Sequence, residues 1–212
     1  METNQKILDN FIVIEGLDGA GTTTQLSLIE KHLKNKSIKH FITFEPTNNK
    51  TGNFIRSILK GAVTVEPNTM SYLFAADRCE HLYNPNDGIV AKHSKGNFIV
   101  CDRYLFSSLA YQSVSCGFDF VLKLNSFFPL PSHLFFIKTS IDTCMLRLKS
   151  REGKEIYEDY DFQKEVERGY NKVLSYYEKS KMNIHFLDGE QNPEDIFQKI
   201  WDIISLLPIF KE

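Results

Sequence analysis

The chain has 212 residues, of which 25 are lysine or arginine, 27 are aspartate or glutamate, and 42% are hydrophobic. A chain of that size predicts one soluble core, and a net charge of -2 gives no reason to expect nucleic acid or a membrane surface as partner. No run approaches the roughly 18 apolar residues of a membrane span, and residues 1–10 lack a signal-peptide core, so the expected location is the cytoplasm. Cys79, Cys101, Cys116 and Cys144 are dispersed without C-x-x-C spacing, which predicts reduced, buried thiols. The six histidines are also scattered and suggest no zinc site.

Phe11-Ile12-Val13-Ile14, closed by Glu15 and Gly16, has the profile of a strand buried on both faces and central in a parallel sheet. Leu26, Ile29 and Leu33 recur at helical spacing and predict a helix over 22–35. His40-Phe41-Ile42-Thr43-Phe44 reads as a second strand, with Glu45-Pro46-Thr47-Asn48-Asn49 as the loop that leaves it. Helical patterns follow over about 52–59 and 68–82, the second ended by Asn84-Pro85-Asn86-Asp87-Gly88, and a shorter helix precedes Gly96. Phe98-Ile99-Val100-Cys101 is a third buried strand that delivers Asp102-Arg103-Tyr104 at its C-terminal end. Helices over about 107–114 and 118–127 lead to a break at Pro129-Leu130-Pro131 and a fourth strand, Leu134-Phe135-Phe136-Ile137. A long helix over about 161–179 precedes a fifth strand, Ile184-His185-Phe186-Leu187, and Ile196, Ile200, Ile203 and Ile204 form the stripe of a closing helix. The alternation predicts an α/β fold, a doubly wound five-stranded parallel sheet with helices on both faces, in a single domain over 1–212. The charged interval over about 149–160 is expected to be a flap, or lid, within that domain.

Between the first strand and the first helix, Gly16 and Gly21 have the spacing of the phosphate-binding loop G-x-x-x-x-G-K-[ST]. Glycines there let backbone N–H groups turn onto phosphate oxygens. Thr23 holds the hydroxyl position that ligates magnesium, whereas Thr22 stands where the lysine belongs. A plain strand-to-helix turn would also use Gly16, Gly19 and Gly21. Losing the lysine removes a charge-assisted hydrogen bond worth roughly 1.5–3 kcal/mol, so another cation is needed near the transferring phosphate.

Phe44-Glu45-Pro46, Leu73-Phe74-Ala75-Ala76-Asp77-Arg78, Asp102-Arg103-Tyr104 and Ser107-Ser108-Leu109-Ala110-Tyr111-Gln112 join this P-loop in one combination. With them the chain resembles the thymidylate kinases, P-loop NTPase-type enzymes that pass the γ-phosphate of ATP to dTMP, and the likeness runs from Ile12 to Gly189. The resemblance implies that Gly16, Gly19, Ala20, Gly21, Thr22, Thr23 and Thr24 cradle the ATP phosphates. It implies that Thr23 and Asp102 hold magnesium or its waters, that Asp18 faces the deoxyribose hydroxyl, and that Glu45 and Pro46 shape the monophosphate pocket. Arg103 would grip the acceptor phosphate with help from Arg56, Phe74 would stack on thymine, and Arg78 would bond its carbonyl edge. Ser108, Tyr111 and Gln112 would finish reading base and sugar. Family members often carry arginine before the Glu-Pro pair and glycines after it, so Phe44 and Thr47 leave the geometry of this loop open. The resemblance also implies a homodimer.

Each assignment has a plainer alternative: Phe74 as core, Arg78 in a surface ion pair with Asp77 or Glu80, Asp102 and Arg103 as a structural ion pair, and the flap as a solvated loop. Gly19 occupies the place of the loop arginine that one branch of the family carries, which leaves the flap segment Lys149-Ser150-Arg151-Glu152-Gly153-Lys154 as the source of charge. Arg151 is the first candidate to swing over the ATP phosphates, and Lys154 is the second. The functional expectation is ATP-dependent phosphorylation of dTMP to dTDP, with a kinase for another pyrimidine acceptor or a non-catalytic nucleotide binder as alternatives.

Overall fold

Five parallel strands form one sheet in the order β2-β3-β1-β4-β5. In this computed structural model, which describes residues 5–149, 156–157 and 159–211, they are β1 (Ile7–Gly16), β2 (His40–Phe44), β3 (Phe98–Asp102), β4 (Leu130–Lys138) and β5 (Asn183–Asp188). β1 lies in the middle because Phe11 to Gly16 are all buried, and Phe11 through Ile14 have no exposed surface. Fully burying a large aliphatic side chain contributes about 1.5–3 kcal/mol, so an edge position for this segment would forfeit several such terms.

Helix α1 (Thr22–Asn35) follows β1, and α2 (Lys50–Leu59), α3 (Pro67–Tyr83) and α4 (Ile89–Ser94) separate β2 from β3. α5 (Leu105–Tyr111), α6 (Ser113–Cys116) and α7 (Phe118–Asn125) then lead to β4, and α8 (Ile141–Lys149) and α9 (Tyr160–Tyr177) to β5. α10 (Pro193–Ile204) and a short 3-10 turn at Pro208–Phe210 end the described chain. α1 packs against α10, while α5 packs against α9, which reaches the sheet through Phe136 and Glu15. The strand order reverses direction at β1, and ligands of doubly wound sheets collect in the crevice beyond the strand ends at such a point.

Four sequence expectations need correction. The Pro129-Leu130-Pro131 segment does not break the chain before the fourth strand: β4 already begins at Leu130, whose N–H donates to the Lys6 carbonyl at 2.8 Å. Pro131 is tolerated there because it pairs with Leu8 beside a register shift, where a missing N–H costs little. The helix expected over 107–114 is two helices, α5 and α6, with Gly117 at φ 81° turning the chain into α7. α8 was not predicted, because only Cys144 and Leu148 of its nine residues are buried and the apolar stripe is correspondingly thin. All four thiols are free, but only Cys101 and Cys144 are buried, while Cys116 is half-buried and Cys79 is exposed on α3. Burial pushes the Cys144 thiol up to about 12, and Cys101 likewise above its ordinary value, so both stay protonated and unreactive.

Candidate active site

A cavity of about 610 Å³ opens at the C-terminal ends of β1, β2 and β3. Every residue predicted for the site lines it except Gly16, Ala20 and the flap candidates Arg151 and Lys154. Gly16 ends β1, Ala20 is buried inside the loop, and Arg151 and Lys154 lie outside the described residues.

One end of the cavity is the loop itself. Gly21 is the N-cap of α1 at φ 104°, a conformation that costs other residues strain. No side chain caps α1 and no acidic residue occupies its first turn, so its leading N–H groups and positive dipole end are directed at the cavity. Gly19, at φ 86°, also has no room for a side chain: a Cβ there would stand 2.6 Å from the Cys144 carbonyl oxygen of α8. Thr22 is buried at the cavity wall in the lysine position.

Between the two ends sit Thr23 and Asp102. The Thr23 hydroxyl donates to Asp102 Oδ2 at 2.9 Å, while Asp102 Oδ1 is buried with no protein partner. A buried carboxylate oxygen left unpaired is costly, and a hard cation with its waters is the kind of group that satisfies it.

The other end is cationic. Arg103 follows β3 with φ 65°, a left-handed conformation worth about 1–3 kcal/mol of strain for a residue other than glycine, which the surrounding contacts must overcome. Its guanidinium donates to Asp18 Oδ1 at 2.6 Å and to the hydroxyl oxygens of Ser107 and Tyr170 at 3.2 and 3.3 Å, and it lies over the Tyr111 ring. Arg56 approaches from α2, donates to the Pro46 carbonyl and rests on the Phe44 ring at 5.3 Å. Phe44 therefore makes a platform for a neighbouring arginine.

The geometry of Glu45-Pro46-Thr47, left open by the sequence, is set by α3. The Glu45–Pro46 peptide is cis. Thr47 donates through both its N–H and its hydroxyl to Asp77, at 2.7 Å each. Glu45 accepts from Arg78 and meets His81 Nδ1 at 3.0 Å, while His81 Nε2 meets the Thr43 hydroxyl at 2.6 Å. The surface-pair alternative for Arg78 is thus overturned: the side chain is 1% exposed, and its partners are Glu45, Asn125 and Ser108 rather than Asp77 or Glu80. Phe74 is half-buried against Ile55, Ile58, Leu59 and Met70 and still faces the cavity, so it is core and lining at once.

The thymidylate kinase family model matches residues 14–200. The chain belongs to the thymidylate kinase family. A thymidylate kinase of Caldicellulosiruptor saccharolyticus is 36% identical over 203 residues, covering 92% of this chain and 95% of its own. A protein of Methanocaldococcus jannaschii named probable thymidylate kinase is 40% identical over 174 residues, 81% of this chain and 85% of its own. The solved thymidylate kinase of Candida albicans superposes with a TM-score of 0.74 over 92% of this chain and 90% of its own, at 22% identity, a likeness of fold.

Three groups at this site were missed in the sequence. Glu15 has no exposed surface, and burial raises its carboxyl to about 7, against the lowering influence of Arg103, Ser107, Tyr170 and the Tyr104 N–H. The available signal was a carboxylate closing an otherwise apolar buried run, which demands partners. Gln163 of α9 donates to Asp18 Oδ2 at 3.1 Å and to the Tyr157 carbonyl at 2.8 Å, joining the loop to the end of the flap. Arg147, in the last turn of α8, donates to the carbonyls of Gly19 and Ala20 at 3.3 Å each and of Gly189 at 3.1 Å. Gln163 and Arg147 meet the loop from more than a hundred residues away, and no local pattern announces such contacts.

Proposed function

We infer that this cavity transfers the γ-phosphoryl group of ATP directly to dTMP, giving dTDP and ADP. The observation that carries the reading is the two-ended cavity, with an uncapped helix N-terminus in a glycine loop at one end and Arg103 with Arg56 at the other. Phosphoryl transfer needs positioning and charge stabilisation more than covalent chemistry, and the acceptor phosphate is already nucleophilic at neutral pH, so no general base is required. Asp18, Arg103 and Arg56 would orient the acceptor, with Phe74, Ser108, Tyr111 and Gln112 around its base and sugar. Arg78 would meet the base while fixed by Glu45. Thr23 and Asp102 would hold a magnesium ion, which when bound neutralises charge on the donor phosphates. Arg151 of the lid would add charge above them.

The rest of the reading is a single cytoplasmic domain with a lid over about 149–160, acting as a homodimer. Supporting it, the described residues contain no helix long and apolar enough to cross a membrane. A stripe of apolar residues also lies exposed on α3.

The test is a coupled ADP-release assay with dTMP and ATP, run with and without magnesium and repeated with other pyrimidine acceptors. Magnesium-dependent dTDP formation is expected. Nucleotide binding without product would favour the non-catalytic alternative that Thr22 suggests, and preference for another acceptor would defeat the base-reading assignments.

A further inference from the structure

Glu15 touches no part of the cavity surface, yet its two carboxylate oxygens divide their work. Oε1 accepts from the backbone N–H groups of Tyr104 at 2.8 Å and Ser107 at 3.2 Å. Both donors lie at the start of α5, whose own N-cap residue provides no side-chain cap, and the Ser107 N–H is shared with the Tyr104 carbonyl at 3.1 Å. The carboxylate of a central strand therefore caps the helix that follows Arg103. Oε2 accepts from the Ser107 hydroxyl at 2.6 Å and the Tyr170 hydroxyl at 2.8 Å. Each hydroxyl has one proton to give, and both hydroxyl oxygens lie within hydrogen-bond distance of Arg103 Nη1.

We propose that Glu15 is the positioning residue for Arg103: by drawing the hydroxyl protons of Ser107 and Tyr170 onto Oε2, it turns their oxygen lone pairs toward the guanidinium. Asp18 holds Nη2 from the opposite side, so the fork is fixed at both nitrogens and its orientation is set before any acceptor arrives. The Arg103 N–H is held by the Ile14 carbonyl at 2.9 Å, but its φ of 65° is strained for a residue other than glycine, and side-chain bracing helps to offset that strain. An amide in place of the carboxylate reverses the polarity. With its oxygen kept on the two backbone N–H groups, its NH2 points at the hydroxyls and competes with Arg103 for their lone pairs, while their displaced protons turn toward Arg103 or, for Tyr170, toward the Gly16 carbonyl at 3.2 Å. Shape and volume are preserved while the acceptors that hold Arg103 are weakened.

The inference rests on the reading of Arg103 as the grip on the acceptor phosphate, and the test separates the two. Binding of dTMP and of thymidine, which lacks the phosphate, is measured by calorimetry at pH 8 for the parent, Glu15→Gln, Tyr170→Phe and Arg103→Ala. Arg103→Ala sets the scale by weakening dTMP and sparing thymidine. Glu15→Gln is expected to weaken dTMP about tenfold, as loss of one well-made charge-assisted contact does, with thymidine changed less than twofold and KM for dTMP rising more than kcat falls. Tyr170→Phe, which removes one of the two bridging hydroxyls and leaves the helix cap, is expected to move the same ratio by a smaller factor and decides the matter if Glu15→Gln does not fold. Equal weakening of dTMP and thymidine, or of neither, in the Glu15 and Tyr170 variants overturns the inference. An unchanged ratio in Arg103→Ala overturns the reading of Arg103 and the inference with it.

Discussion

Thr22 puts a short hydroxyl where the fold's usual ammonium would reach the transferring phosphate. Arg147 donates to the Gly19 and Ala20 carbonyls of the same loop but does not line the cavity. Thr22→Lys is therefore expected to raise turnover by about tenfold or more, the worth of one charge-assisted hydrogen bond, in the ADP-release assay. Unchanged turnover would show that a lid cation already fills the role. Arg151→Ala should lower turnover far more than dTMP affinity, and equal activity of variant and parent would remove Arg151 from the site. Glu15 carries a separate prediction about pH. Its carboxyl titrates near 4.5 when unfolded and about 7 when folded, so between those values the folded protein binds the extra proton. Stability from this group is full below pH 4.5 and falls as pH rises toward 7, by about 3 kcal/mol in all. Urea midpoints at pH 5, 6, 7 and 8 should show Glu15→Gln gaining on the parent as pH rises. A difference that stays flat across that range would contradict the burial argument.

The elements show what holds those residues in place. α5 and α9 must approach closely enough for Tyr170 to reach Ser107 and Glu15, and Gly169 is what permits it: a Cβ there would lie 2.7 Å from the Ala110 carbonyl oxygen and 3.1 Å from its Cα. Gly169→Ala gains up to about 1 kcal/mol of helix propensity, but displacing packed backbone costs typically about 1–3 kcal/mol. The clash wins, and a lower urea midpoint together with a higher KM for dTMP is expected. A more stable variant would show that α9 shifts freely. The same scale explains what the sequence made legible. α1 and β2 were readable to the residue because local signals bound them: a glycine N-cap for one, and loop residues after an apolar run for the other. The first part of β1 was not, because Asn10 at φ 53° interrupts the pairing with β4 between Leu8 and Ile12. In the site, the loop glycines, Asp102 and Arg103 were legible because each stands at a strand end within a short motif. Arg78's buried partners were not, since Glu45, Asn125 and Ser108 come from the loop after β2, from α7 and from α5.

At the scale of the molecule, α3 presents two faces with opposite needs. Its inner face carries Arg78 and His81 into the buried network and Phe74 to the cavity wall. Its outer face exposes Tyr72, Ala76, Cys79 and Tyr83, spaced by four, three and four residues, with Tyr72 55% and Tyr83 51% exposed. That spacing is the seam along which two helices pack. Tyr72 also lies edge-on to Phe120 of α7 at 5.6 Å, which widens the apolar patch. A second copy of the chain is the partner that fits the proposed homodimer, with α3 against α3 across a two-fold axis, since a self-complementary stripe is what such an axis requires. Pairing there would brace the outer face of the helix whose inner face fixes the Glu45 loop, coupling assembly to acceptor binding. The parent protein should sediment at twice its chain mass at micromolar concentration and the double variant Tyr72→Glu, Ala76→Arg at its chain mass. Cys79, the one exposed thiol among the described residues, supplies an independent readout. It should react slowly with a maleimide in the parent and quickly in the double variant. A parent that sediments as a monomer, with Cys79 freely reactive, would mean that the stripe is no seam and that α3 is held from its inner face alone.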